Sequence, residues 1–268
     1  MIMGKALEII SGSASAPGAT LTQITMAAGD SNTVRDFQAG NTRILSAWPT
    51  GQTTAGFLQI RSARMHDNVR GINVNSPVTP QLVTILHPYA QPLNPQDTLN
   101  ILISGSAGAG DLLLASLLIF YEDLPSIDAN LISPEDLVSR GKNILTASHS
   151  LALATGPNYT GSVAINATND LWKANTYYAL LGYELTVACG AITFRGSDTG
   201  NLRLGGPGRL TDLLDTRNWF VYISKLFSLP LIPVINSANK ANTFVEGHQD
   251  ENAAATVVTS HWVELEGV

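Results

Sequence analysis

Histidine is the side chain in this sequence best suited to hold a catalytic metal ion. A metal site on a β-strand needs ligands two residues apart, because alternate residues face the same side. No two of the histidines lie within ten residues of each other, so only a site assembled from distant strands stays open. His87 and His248 are expected at the surface. The sequence predicts no metal ligands among its five histidines: His66, His87, His149, His248 and His261.

Three other patterns suggest chemistry at first sight. The glycine-rich segment Gly105–Asp111 lacks the Lys-Ser/Thr pair of a phosphate-binding loop and is expected to connect two strands. Ser148–Ser150 places His149 between two serines, but neither serine has the Gly-x-Ser-x-Gly surroundings of a nucleophile. Asp212 and Asp215, followed by Arg217, have the spacing of a solvated helix face. The sequence therefore predicts no catalytic or cofactor-binding residue, and no cofactor.

Two further features have structural explanations. Cys189 is the single cysteine, so no disulfide can form within the chain, and its apolar neighbours predict a small buried side chain. Asn158 and Asn166 begin matches to the N-glycosylation pattern. No secretion signal is recognised, so both matches are interpreted as chance in a chain rich in Asn and Thr.

Composition limits the class of protein. Apolar residues make up 44% of the 268 residues, enough for a core, and charged residues only 13%. The longest apolar run, Leu112–Tyr121, contains Ser116 and is too short to span a bilayer. The net charge is −6 and the basic residues are scattered, which argues against direct wrapping of a genome. A weakly charged, neutral-polar surface suits a protein that packs against copies of itself.

The elements that would position any site are mostly strands. Short apolar segments separated by Gly, Pro and Asn predict an all-β sandwich or barrel. The predicted strands are Thr20–Met26, Phe57–Ile60, segments within Asn73–Leu86, Leu99–Ile103, Leu112–Tyr121, Tyr177–Leu181, Glu184–Cys189, Ala191–Arg195, Trp219–Leu226, Ala241–Val245 and Ala255–Val263.

One helix is clearly signalled, over Ser133–Gly141. Ser133 can cap the free amide groups, Pro134 suits the first helical position, and Arg140 followed by Gly141 suits the exit. A second short helix is predicted to begin at Thr211. Neither is long enough to form a core.

The two halves of the chain resemble each other. Four residues recur at an offset of 134 and four more at an offset of 142, and Pro-containing stretches, strands and Gly-bearing loops follow in the same order. The pairs are Asn41 with Asn175, Thr42 with Thr176, Gly56 with Gly190, Arg61 with Arg195, Asn94 with Asn236, Asn100 with Asn242, Gly105 with Gly247 and Glu122 with Glu264.

This pattern indicates a duplication with the helix between the copies. We expect an N-terminal unit over residues 1–125, a helical connector over 126–141 and a C-terminal unit over 142–268. Each copy has the length of an eight-stranded antiparallel sandwich. On the central strand near the end of the first copy, Leu112, Leu114, Leu117, Ile119 and Phe120 are expected to be largely buried.

The paired blocks, Asn41–Arg61 with Asn175–Arg195 and Asn94–Glu122 with Asn236–Glu264, carry a resemblance. A chain of two similar β-sandwiches, joined by a short helix and lacking catalytic motifs, resembles the double jelly-roll major capsid proteins of tailless viruses. Its length is similar to the compact members found in small membrane-containing bacteriophages. The resemblance implies two tandem eight-stranded jelly rolls and a homotrimer whose six jelly rolls form a pseudo-hexagonal tile of an icosahedral shell.

The same resemblance implies a location and partners. The protein would reside in the virion after assembly in the host cytoplasm. Its partners would be copies of itself, other capsid proteins such as a vertex protein, and an underlying lipid membrane, without sequence-specific binding of nucleic acid. Two alternatives stay open: a jelly-roll trimeric spike or receptor-binding protein, and a metalloenzyme of the two-cupin type. The preferred interpretation is that the protein is not an enzyme.

Overall fold

In the residues that it describes, a computed structural model of the chain contains four antiparallel β-sheets and two short α-helices. The structure describes residues 3–15, 17–38, 42–51, 53–76, 84–85, 92–108, 112–125, 127, 129–168, 170–208, 216–249 and 255–266. We call residues 3–125 the first half and residues 141–266 the second half. The expectation of an all-β protein is confirmed at this level.

The first half holds one five-stranded and one four-stranded sheet. In order across each sheet, the strands run β3-β1-β9-β4-β7 and β2-β8-β5-β6. The described strands are β1 (Met3–Ala14), β2 (Gly18–Gln23), β3 (Thr25–Met26), β4 (Arg43–Thr50), β5 (Gly56–Arg61), β6 (Ile72–Ser76), β7 (Thr84–Ile85), β8 (Asn100–Gly105) and β9 (Leu113–Pro125).

The second half is built in the same way, with one strand added from the preceding connector. Its sheets run β10-β16-β13-β18-β11 and β12-β17-β14-β15. The described elements are β10 (Leu131–Ile132), α1 (Pro134–Arg140), β11 (Gly141–Ala152), β12 (Thr160–Ala164), β13 (Tyr177–Leu185), β14 (Ala191–Arg195), β15 (Leu204–Pro207), α2 (Trp219–Phe227), β16 (Ile232–Asn236), β17 (Phe244–His248) and β18 (Ala255–Leu265).

Strand order is the same in the two halves. The order β1-β9-β4-β7 in the first half corresponds to β11-β18-β13-β16 in the second, and β2-β8-β5-β6 corresponds to β12-β17-β14-β15. The two-residue strands β3 and β10 are additions at the sheet edges. Apart from these additions, the described part of each half contains eight strands in two matching groups of four.

Strand pairing within each half tests whether the predicted offsets agree with one another. Arg61 in β5 pairs with Asn100 in β8, and Arg195 in β14 pairs with Phe244 in β17. With Arg61 placed over Arg195, as predicted, the offset is 134 in β5 and β14. In β8 and β17 the offset is then 144, which places Asn100 over Phe244.

The predicted offsets of 134 and 142 therefore cannot both hold along these strands: if Arg61 matches Arg195, the matches of Gly105 with Gly247 and of Asn100 with Asn242 are displaced by two residues. A strand repeats its facing every two residues, so a shift of two keeps each side chain on the same face. The alternation of apolar residues could not reveal this error. Asn and Gly are frequent in the connections, so isolated identities between them locate the register poorly. Asn41 of the first paired block lies outside the described residues.

The first helix is confirmed, and the capping pattern explains its start. Asp136 N donates to Ser133 Oγ at 3.1 Å, and Ser133 N donates to Asp136 Oδ2 at 3.3 Å. This reciprocal pair is a capping box. The second predicted helix, at Thr211, lies outside the described residues. Within the described ranges, neither helix is long and apolar enough to cross a membrane.

The strand predicted over Trp219–Leu226 is wrong, because that segment forms α2. Its buried side chains include Phe220, Ile223 and Phe227, spaced three and four residues apart. That spacing forms one face of a helix, whereas a half-buried strand would alternate. One face of this short helix is almost wholly buried. Its apolar and aromatic residues therefore form a run that resembles a strand.

Several strand boundaries also differ from the predictions. The two strands predicted over Tyr177–Leu181 and Glu184–Cys189 form the single strand β13, which is irregular between Leu180 and Gly182. A 3₁₀ helix over Ser237–Asn242 delays the start of β17. The prediction also omitted β1, β4, β10, β11, β12, β15 and β16.

The strand predicted to be central, β9, lies within its sheet between β1 and β4. Leu114, Leu117, Ile119 and Phe120 are fully buried, whereas Leu112 precedes the strand and is half-buried. Alternate residues of β9 enter different cores. Leu117 and Ile119 pack within the first half, while Phe120 belongs to the core cluster of the second half. The sheet that contains β9 is therefore buried on both faces.

Candidate functional site

The histidines do not form a metal site in the part of the chain that the structure describes. His66 is exposed, His149 and His248 are buried, and His261 is half-buried. His87 lies outside the described residues. Among the side chains described, no group of three or more His, Cys, Asp or Glu is placed to hold a metal ion.

His248 is buried, so its expected surface position is wrong. It ends β17 rather than lying in a polar loop. Its ring centroid is 4.9 Å from that of Tyr159, and Nε2 is 3.2 Å from the carbonyl oxygen of Gly156. The ring therefore packs beneath the connection that leads into β12.

His149 cannot act as a base for the serines beside it. Because residues alternate along β11, Ser148 and Ser150 are exposed on one face while His149 points into the core. There, His149 Nε2 is 2.8 Å from Ser260 Oγ. Burial lowers the pKa of His149 to about 4, so the ring is neutral at physiological pH.

The other sequence candidates are not brought together. Gly105 ends β8, and the described part of its segment leads toward β9 as a connection between strands. Asp212 and Asp215 lie outside the described residues. Arg217 forms an ion pair with Glu184 (Nε–Oε1 3.0 Å). Cys189 is buried, as predicted.

The most extensive site that the structure reveals is the contact between the two halves. The outer face of the β1-β9-β4 sheet packs against the β14, β15 and β17 side of the second half. Leu7, Ile9, Leu118 and Phe120 of the first half lie in one core cluster with residues of the second half, and all four are fully buried. Burial of this apolar surface stabilises the contact in proportion to its area.

Gly190 marks the closest approach within this contact. Trp48 Nε1 donates a hydrogen bond to the carbonyl oxygen of Gly190 at 2.9 Å. A Cβ atom on Gly190 would lie 2.5 Å from Leu114 Cδ1 and 2.9 Å from the carbonyl oxygen of His248. The absence of a side chain at this position lets the two sheets meet.

Polar groups complete the seam along β1. Ser11 Oγ lies 2.7 Å from the hydroxyl of Tyr159 and 2.8 Å from Ser116 Oγ. The amide of Ile9 donates to the carbonyl oxygen of Arg203 at 2.7 Å, which joins the halves through their backbones. Buried polar groups that are satisfied in this way fix the orientation of a contact.

Arg203 is the centre of a charged cluster in the same seam. Its Nη1 is 2.6 Å from Asp30 Oδ1 of the first half, and its Nε is 3.1 Å from Glu246 Oε2 of the second half. Its Cζ lies 4.4 Å from the centroid of the Tyr159 ring, a cation–π distance. Arg195 Nη2 pairs with the other oxygen of Glu246 at 2.9 Å.

Burial shifts the pKa values of two residues in the charged cluster. Burial raises the pKa of Asp30 to about 6, although Arg203 opposes the shift. Burial also raises the pKa of Tyr159 well above its usual range, so its hydroxyl stays protonated beside Ser11. The ionisation of Asp30 therefore takes place closer to neutral pH than that of an exposed aspartate.

A cavity of about 80 Å³ lies beside Arg203, and a wider groove of about 420 Å³ adjoins it. Glu8 and Arg35 line both, and they pair through two hydrogen bonds of 2.6 and 2.9 Å. The groups here are ion-paired side chains rather than a nucleophile with its base. Glu8 and Arg35 both belong to the first half, and Arg195 and Arg203 line the smaller cavity from the second half.

Sequence reasoning missed the residues of this seam. Asp30, Tyr159, Arg203 and Glu246 are isolated residues far apart in the sequence, and no spacing relates them. Gly190 is the exception, since it belongs to the repeat with Gly56. That repeat was the one signal that pointed toward the contact.

Comparisons with known proteins do not show a family for this chain. No protein-family model and no curated protein matches the chain. Among solved structures, the chain is similar to the major capsid protein P2 from bacteriophage PM2. The match covers 98% of both chains at 10% identity, with a TM-score of 0.24. That score is too low to establish a shared fold.

Proposed function

We propose that this chain is the major capsid protein of an icosahedral virus, built as a double jelly roll. Each copy would contribute two tandem eight-stranded jelly rolls, over residues 1–125 and 142–268, joined by the helical connector. Three copies would form a pseudo-hexagonal tile. In this role the protein is a structural subunit and not an enzyme.

The matching strand order supports the double jelly roll. A jelly roll is an eight-stranded sandwich of two four-stranded sheets. Among the residues that the structure describes, each half has two groups of four strands that follow one another in the same order. The capping box at Ser133 starts a helix between the two groups, where a connector is required.

The observation that carries the proposal is the way the halves pack. The first half presents the outer face of its β1-β9-β4 sheet, while the second half presents the opposite side, formed by β14, β15 and β17. A contact between unlike faces is heterologous, and its repetition between copies generates a closed ring or an open array. Six similar units in a closed ring would form a trimer.

The proposal includes a location and partners. The protein would lie in the virion after assembly in the host cytoplasm, in contact with its own copies, a vertex protein and an underlying membrane. The net charge of −6 favours indirect contact with the genome.

Abundance in purified virus particles tests the proposal. A major capsid protein would be the most abundant protein when particle proteins are separated and quantified by mass spectrometry. A minor component would instead indicate a spike or receptor-binding protein. Absence from particles would overturn the proposal.

A further inference from the structure

We propose that the cavity beside Arg203 binds one small oxyanion, such as sulfate, phosphate or a carboxylate group, between the two halves of the chain. The site is independent of the proposed function, because it needs neither a second copy of the chain nor a shell. Basic side chains from both halves line it: Arg35 of the first half, and Arg195 and Arg203 of the second. A bound anion therefore joins the halves.

The guanidinium groups of this cavity have N–H donors that their ion pairs do not use. Arg35 donates to Glu8 from Nε and Nη2, and Arg195 donates to Glu246 from Nη2. The Nε atom of Arg195 is buried, and it has no hydrogen-bond partner in the part of the chain that the structure describes. A buried donor without an acceptor costs free energy, and an anion in the cavity supplies the acceptor.

The carboxylate oxygens of the charged cluster, in contrast, all accept hydrogen bonds already. A cation binds through oxygen ligands, whereas an anion binds through N–H donors. The cluster therefore favours an anion over a cation. The carboxylates and the groups that donate to them are Glu8 with Arg35, Glu246 with Arg195 and Arg203, and Asp30 with Arg203 and the amide of Ser11.

The size of the cavity selects a small ligand. Its volume of about 80 Å³ is that of a few water molecules, since each molecule has about 30 Å³ in the liquid. Among the described residues that line the adjoining groove, Asp36 adds a negative charge and Arg35 is the one basic side chain. An extended polyanion such as nucleic acid would find no further cations along that groove. The cavity therefore suits a single small anion.

The backbone holds the second-half side of the cavity in place. Arg195 ends β14 and Arg203 directly precedes β15. The connection between them turns through Gly200 and Asn201, whose φ angles are 66° and 58°. The amide of Asn201, a residue that lines the cavity, donates to the carbonyl oxygen of Gly196 at 2.8 Å. A site formed in advance loses little conformational freedom when its ligand binds.

Protonation of Asp30 should strengthen the binding of an anion. Burial raises the pKa of this carboxyl to about 6. While Asp30 is ionised, the three arginines of the cluster balance its three carboxylates, and once Asp30 is protonated one positive charge is left over. Affinity should therefore rise as pH falls through about 6. The charged and titratable groups around Asp30 are Glu8, Arg35, Tyr159, Arg203 and Glu246.

Equilibrium dialysis of the full-length protein against radiolabelled sulfate tests the proposal. Sulfate keeps its charge across the pH range used, so a change in affinity reports on the protein. We expect saturable binding of one sulfate per chain at millimolar concentration. The binding should be about tenfold tighter at about pH 5 than at about pH 7.5, as expected from one additional positive charge beside the anion.

Arg195→Gln is the test variant, and Arg70→Gln is its matched control. Arg195→Gln removes the buried Nε donor and one positive charge, while Glu246 keeps Arg203 as a partner. Its affinity for sulfate should fall by at least about tenfold. Arg70 is exposed in the connection between β5 and β6, so its replacement should leave sulfate binding unchanged.

Asp30→Asn provides a second test that keeps all three arginines. Its cluster has one positive charge left over at every pH, so sulfate should bind tightly at both pH values and the pH dependence should disappear. This variant decides the matter if Arg195→Gln does not fold, which circular dichroism would show.

The outcomes are distinct. No saturable binding to the wild-type protein at millimolar sulfate, or equal binding to a folded Arg195→Gln variant, would overturn the proposal. A pH dependence that persists unchanged in Asp30→Asn would place the anion elsewhere and overturn it too. Each of these results leaves the proposed function standing, because that function is tested by the abundance of the chain in virus particles.

Discussion

Leu114→Ala probes the contact between the halves at its tightest point. Leu114 is fully buried on β9, and its Cδ1 faces Gly190 of the second half. The substitution removes three carbon atoms, a transfer loss of about 2.4 kcal/mol at about 0.8 kcal/mol per carbon. Gly190 has no side chain to move into the space, so a cavity remains. We therefore expect a total cost near the upper part of the range of about 2–5 kcal/mol.

A double-mutant cycle locates that loss at the contact. Gly190→Ala alone should destabilise the protein by about 1–3 kcal/mol, because its Cβ would lie 2.5 Å from Leu114 Cδ1. In the Leu114→Ala background the new methyl group enters the vacated space, so its cost should fall by at least about 1 kcal/mol. The nearby carbonyl oxygen of His248 prevents complete relief.

Urea unfolding at constant pH measures each free energy. Leu117→Ala, a fully buried leucine of the same strand that faces the first half's own core, should cost a similar amount without coupling to Gly190→Ala. Leu171→Ala, on an exposed side chain, should change stability by no more than about 0.5 kcal/mol. A cost below about 1 kcal/mol for Leu114→Ala, or additivity with Gly190→Ala, would refute the described packing of the halves.

Three further predictions concern charge, capping and nucleic acid. Asp30 has a raised pKa in the folded state, so its contribution to stability is greatest at low pH and is lost as pH rises through about 6. Between pH 4.5 and 7.5, the free energy of unfolding of the wild-type protein should fall by about 2 kcal/mol relative to that of Asp30→Asn. His149 contributes in the opposite direction but equally in both proteins, so its effect cancels. The same pH dependence in both proteins would place Asp30 in solvent. Ser133→Ala should cost about 1 kcal/mol in urea unfolding, and an unchanged midpoint would contradict the capping box at α1. Filter binding of random-sequence DNA near about 150 mM salt should give dissociation constants of about 10⁻⁴–10⁻⁶ M, whereas nanomolar binding with a salt slope steeper than about −5 would contradict indirect contact with the genome.

The sequence allowed the all-β class, the helix at Ser133 and the burial of β9 to be predicted. These depend on local signals: capping residues, strand-forming side chains and long apolar runs. Strand β1 was missed because it is buried on both faces, and it lacks the alternation of a half-exposed strand. Helix α2 was mistaken for a strand for a related reason, since its apolar face is continuous and short.

The contact between the halves lay beyond sequence reasoning. The partners of Arg203 are Asp30, in the connection that follows β3, and Glu246, in β17, and they meet only when the two halves pack together. Identical residues can reveal a repeat. The match of Gly105 with Gly247 shows, however, that they do not decide between two registers that differ by two residues.

Electron microscopy of the purified full-length protein tests the central claim most directly. If each chain contributes two similar units joined head to tail, two-dimensional class averages should show a three-fold particle with six lobes around its rim. Particles with two lobes, or pairs related by a two-fold axis, would contradict the proposed trimer and the repeated contact on which it depends.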